Sequence, residues 1–75
     1  MGRMAGIHAE RLIRALERLG WRVIRSKGSH HAVARNGRPG VVIVPMHKGT
    51  LAEGTARAIL KQAALSEDEF FAVYR

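Results

Sequence analysis

The sequence contains no cysteine, which excludes a disulfide framework, a thiolate zinc site, an iron–sulfur cluster and a cysteine nucleophile. Aromatic residues are few as well, with one tryptophan, one tyrosine and two phenylalanines among 75 residues. A chain of this length is one domain at most, and its core is a single thin layer between a few elements. No apolar run approaches the roughly 20 residues needed to cross a bilayer. The longest runs from Val41 to Met46 and is broken by Pro45. His8, Glu10 and Arg11 interrupt any signal-peptide core near the start, so the cytoplasm is the expected compartment.

Acidic residues are scarce and unevenly placed. The six are Glu10, Glu17, Glu53, Glu67, Asp68 and Glu69, against thirteen Lys and Arg, for a formal net charge of +7. Between Arg18 and Ala52 there is no acid, yet this stretch holds Arg18, Arg22, Arg25, Lys27, Arg35, Arg38 and Lys48, with His30, His31 and His47. A basic segment without internal counter-charges attracts polyanions, of which nucleic acid is the commonest in a cell. A solvated surface or an acidic protein partner fits the same charge pattern. Magnesium-dependent phosphoryl chemistry needs converging carboxylates, which the segment lacks, so phosphodiester cleavage here would rely on side chains alone. Adjacent strand residues point to opposite faces, so His30 and His31 are poorly placed to ligate one metal together with His47. No metal or other cofactor is expected.

Leu12, Ile13, Leu16 and Leu19 recur at helical spacing, predicting a first helix over about His8 to Leu19 with Glu10 and Arg14 as a supporting pair. Gly20 suits the left-handed position that ends a helix. Trp21 to Arg25 reads as a short strand, Ser26 to Ser29 as a polar turn, and His30 to Arg35 as a second strand ending at the hairpin signal Asn36-Gly37. Val41 to Val44 reads as the most apolar strand, central or covered by helices and stopped by Pro45. A helix over about Thr55 to Ala63 packs through Ala56, Ile59, Leu60 and Ala63. Ser66 and Glu69 form a capping box opening a short helix that carries Phe70, Phe71, Val73 and Tyr74. The order predicts an α+β fold, α-β-β-β-α plus a short C-terminal helix, with a three-stranded antiparallel sheet covered on one face and open on the other.

Four motifs in order, Gly20-Trp21, Lys27-Gly28-Ser29-His30-His31, Val44-Pro45-Met46-His47 and Gly54-Thr55 with Ile59-Leu60-Lys61-Gln62-Ala63, give a sequence that resembles the HicA, or YcfA-like, family of bacterial toxins from about Ile7 to Phe71. The hairpin Arg35-Asn36-Gly37-Arg38-Pro39-Gly40 departs from the family's usual turn, as do Glu53 and Ala64 from the family's frequent proline and glycine. The resemblance implies a fold like a double-stranded RNA-binding domain, metal-independent cleavage of messenger RNA, and neutralisation by a HicB-type antitoxin. It also implies that the histidine following Gly-Ser, here His30, is the residue required for toxicity.

RNA carries its own nucleophile, the 2′-hydroxyl, so cleavage needs a base, an acid and cations around the phosphate. Histidine fills either proton role near neutral pH, contributing typically 10²- to 10⁴-fold. Gly28 lets backbone approach a phosphate, Ser29 offers a hydroxyl donor, and Lys27, Arg25, Arg35 and Lys48 are candidate RNA contacts. His31 and His47 are further candidates for catalysis or substrate contact, and His8 is a helix-start residue. Ala32, Val33 and Ala34 leave both strand faces mildly apolar, so the choice between His30 and His31 stays open in the sequence. Trp21 reads as core rather than a stacking platform, and Phe70, Phe71 and Tyr74 as core, subunit contact or antitoxin patch. The competing reading is a non-catalytic RNA-binding or antitoxin-binding module of the same fold.

Overall fold

A computed structural model describes residues 2–46 and 48–75. Helix α1 spans Ala9–Arg18, β1 Trp21–Lys27, β2 His30–Arg35, β3 Val42–Pro45, α2 Glu53–Gln62 and α3 Glu67–Phe71. The strands form one antiparallel sheet in the order β1-β2-β3. Helix α1 packs on β1 and β3, and α2 packs on β3. The predicted α+β order and the open three-stranded sheet are therefore present.

The apolar spacing of α1 buries Leu12, Ile13, Ala15 and Leu16, and Gly20 follows at φ +96°, the left-handed exit that a glycine makes without a Cβ penalty. Buried Val33, Val42 and Val44 meet this stripe from the sheet, while Ala56, Ile59, Leu60 and Ala63 meet it from α2. Trp21 is buried in the same core, as its position beside the helix stop suggested. The capping box is complete: the Glu69 N–H donates to Ser66 Oγ (3.0 Å) and the Ser66 N–H donates to Glu69 Oε1 (2.9 Å). Phe70 from α3 closes the core, with Phe71 and Tyr74 at centroid distances of 5.0 Å from it. The helix ends at Phe71, so Val73 and Tyr74 pack on the core from beyond it, and the Tyr74 hydroxyl accepts from the His8 N–H at 3.0 Å.

Four expectations need correction. β1 runs to Lys27 rather than Arg25, because Ser26 and Lys27 continue the ladder opposite His31 and His30. The turn therefore shrinks to Gly28-Ser29, with Gly28 at φ +57° in the first connecting position, where a tight hairpin favours glycine. β3 is shifted to Val42–Pro45 and is an edge strand, not a central one. Only one of its faces is covered: Val42 and Val44 are buried, whereas Ile43 is 41% exposed and Val41, just before the strand, 42%. Its apolar run reflected one buried face and one unpartnered face. Lastly, Glu10 and Arg14 are not among the ion pairs of the described residues, which are Arg3 with Glu67 and Asp68, and Arg57 with Glu53 and Glu67. Arg57 holds Glu53 at the same i,i+4 spacing while also reaching Glu67, whereas an isolated exposed pair contributes only about 0.3–0.5 kcal/mol.

Candidate functional site

The β1–β2 register decides what the open face carries. Val23 pairs with Val33 on the helix side, and Arg25 pairs with Ala32, leaving Ile24 as an extra residue in a bulge. Strict alternation from Val23 would send Arg25 and Lys27 toward the helices. The bulge switches the parity, so both point away from the core, opposite Ala32 and His30. Arg25, Lys27, His30, Ala32 and Ile43 line one shallow cavity of about 180 Å³ on this face. Ala32 is buried beneath these neighbours and forms the floor.

His30 is exposed at the start of β2, opposite Lys27 on one side and Pro45 on the other. His31 faces the opposite way, between Ser26 and Val44, and is half buried against the helix side. Its Nδ1 is buried without a hydrogen-bond partner among the described residues, an uncommon state for a polar atom inside a protein. The two histidines thus lie on different faces, as strand geometry requires.

Of the other candidates, Gly28 and Ser29 form the turn leading into His30, and the Ser29 carbonyl accepts the Met46 N–H, tying the loop after β3 to this end of the sheet. Arg35 is not part of the group. It lies at the far end of β2 opposite Trp21, with its guanidinium beside Gly20, about 17 Å along the strand from His30 at ~3.3 Å per residue. Lys48 is on the loop after β3, in a different cleft described below. His47 lies outside the described residues. Among the described residues no three of His, Cys, Asp and Glu converge as metal ligands would, and no helix is long and apolar enough to cross a membrane.

Four of the six acids are committed elsewhere. Glu53, Glu67 and Asp68 pair with Arg3 and Arg57, and Glu69 caps α3. The Ser66 N–H, followed by the Ser66 hydroxyl, holds the Glu69 carboxyl below its ordinary range, with a smaller contribution from the charge of Arg35. Arg25 and Lys27 therefore face solvent with no carboxylate within 4.0 Å among the described residues, and their field adds to that of Arg22 on the same strand.

Sequence reading missed a second basic feature. His8, Glu10, Arg11 and Arg14 from the start of α1, with Met46, Lys48 and Gly49 from the loop after β3, line a cleft of about 500 Å³. The available signal was Arg11 and Arg14, one turn apart on the polar side of α1.

An open antiparallel sheet with helices on one face and unopposed cations at one end defines a small α+β protein of the double-stranded RNA-binding-domain type. The family model for the HicA toxin of bacterial toxin–antitoxin systems matches residues 9–65. The chain belongs to that family and is a toxin-type protein, which implies an antitoxin partner. A comparison with curated proteins found no match.

Proposed function

We propose that this toxin is a metal-independent endoribonuclease that cleaves messenger RNA in the cytoplasm, with His30 as general acid or base, and that a HicB-type antitoxin neutralises it. The observation that carries the reading is the placement of His30: exposed, opposite Lys27, in a cavity shared with Arg25. A phosphodiester lying across this end of the sheet would have its charge met by the guanidinium and the ammonium. The imidazole would serve the 2′-hydroxyl proton or the departing 5′-oxygen. Gly28 and Ser29 form the exposed turn that joins Lys27 to His30, where backbone and hydroxyl are open to a phosphate. Ile43, exposed in the same cavity, and Ile24, exposed next to Arg25 in the chain, offer apolar contact to an antitoxin with acidic groups.

His31 supports a second assignment of the proton role, favoured by its unpartnered Nδ1. An imidazole nitrogen without a partner holds hydrogen-bonding capacity in reserve, and a substrate group would gain it only by opening the packing that seals the nitrogen on the helix side. The test is cleavage of a messenger RNA by purified protein in the presence of chelator, comparing His30→Ala with His31→Ala. The expected result is a loss of at least about 10²-fold for His30→Ala with the thermal transition unchanged. Loss confined to His31→Ala moves the role to that residue. RNA binding with no cleavage by the wild type, and no growth arrest on expression, would instead establish a binding module without chemistry.

A further inference from the structure

The cleft between α1 and the loop after β3 is larger than the cavity at His30, is lined by three cations, and plays no part in the chemistry just described. Arg11 and Arg14 come from one turn of α1, and Lys48 comes from the facing loop. Glu10 is the one carboxylate in the lining, and neither arginine has an ion-pair partner among the described residues. Three cations converging from two elements on a cleft that holds one carboxylate leave a net positive potential suited to an anion.

The position of the cleft connects it to His30. Pro45 is the cross-strand partner of His30, and the next residue, Met46, donates its N–H to Ser29 and lines the cleft. Alternation along β3 places Ile43 and Pro45 on the open face and Val44 on the helix face, and Met46, just past the strand, packs against the core. Both basic features are therefore at the same end of the sheet, on its two sides, with the Met46 edge of the cleft one strand spacing and one residue from His30. That separation is on the order of 10 Å. A polyanion crossing this end reaches both.

We propose that the Arg11–Arg14–Lys48 cleft binds the phosphate backbone of single-stranded RNA on one side of the cleavage point, so that the substrate wraps the end of the sheet from the open face to the helix face. The proposal rests on the ribonuclease reading and adds to it a second site that the RNA must span.

The test is binding of a labelled single-stranded RNA to the full chain carrying His30→Ala and His31→Ala, which keeps the probe intact, measured across a salt series. Adding Arg11→Ala and Arg14→Ala is expected to weaken binding at least tenfold and to lower the log–log salt slope by about 1.4, the value for two lost phosphate contacts on a single strand. Both arginines are exposed, so the thermal transition should not move. Glu10→Gln, which removes the cleft's carboxylate, is expected to tighten binding severalfold, an effect that misfolding cannot mimic. Unchanged affinity and slope in the arginine variant, with Glu10→Gln neutral, would overturn the cleft while leaving RNA binding at His30 in place. An RNA that fails to bind even the parent protein would overturn the ribonuclease reading itself. Retained RNA affinity with loss of an acidic partner protein would assign the cleft to that partner.

Discussion

Lys27 and His30 face one another across the last rung of the β1–β2 hairpin, both on the uncovered side of the sheet, with only Gly28 and Ser29 between them in the chain. The hairpin holds the ammonium and the imidazole in register, with paired Cα atoms about 5 Å apart. A phosphate approaching the ring therefore meets the lysine as well.

This pairing predicts the behaviour of Lys27. Replacing it with alanine should weaken RNA binding and reduce the salt slope by about 0.7, the contribution of one phosphate contact on a single strand. Lys27→Arg should restore both quantities. Titrations with a labelled oligonucleotide at several salt concentrations distinguish this from a merely solvated charge, for which the slope would stay constant.

A second prediction concerns the bulge. Ile24 is the unpaired residue that brings Arg25 and Lys27 to the open face despite the alternation set by Val23. Deleting Ile24 removes the bulge yet keeps Arg25 opposite Ala32 and Lys27 opposite His30, because the shortened strand then alternates regularly. The deletion variant should therefore fold and retain RNA affinity within about threefold. Loss of RNA affinity in a deletion variant that keeps the parent's thermal transition would show that the bulge itself, and not the orientation it gives these cations, is what binding needs.

The pH dependence of the C-terminal helix has a definite sign. The Glu69 carboxylate accepts from the Ser66 N–H, and its folded pKa lies below the ordinary value. Its contribution to stability is complete above the ordinary glutamate range and is lost as pH falls through the depressed folded value. Glu69→Gln keeps an acceptor but does not titrate. Thermal transitions measured from neutral to strongly acidic pH should thus fall less steeply for the variant than for the parent, with the difference confined to the region below the ordinary glutamate pKa. Parallel curves would show that Glu69 is not anchored in the capping box in solution.

Much of the architecture was legible because its signals are local. The α1 stripe, the positive φ at Gly20, the span of β2 and the capping box at Ser66 all follow from interactions within a few residues, and each is present. The status of β3 was not legible. Four successive apolar residues fit a strand covered on both faces as well as they fit an edge strand with exposed Ile43. Arg11 and Arg14 likewise read as a solvated helix face, because Lys48, which completes their cleft, is distant in the chain.

By itself, then, the order of residues dictated the element types, the separation of His30 and His31 onto opposite faces, and the excess of unopposed positive charge, since each depends on short-range geometry or plain counting. Only the assembled tertiary structure decided that the Ile24 bulge turns Arg25 and Lys27 toward His30, that β3 lies at the edge, and that α1 contributes a second basic cleft at the same end of the sheet. These outcomes depend on strand register and on packing between distant segments, which a one-dimensional pattern does not encode.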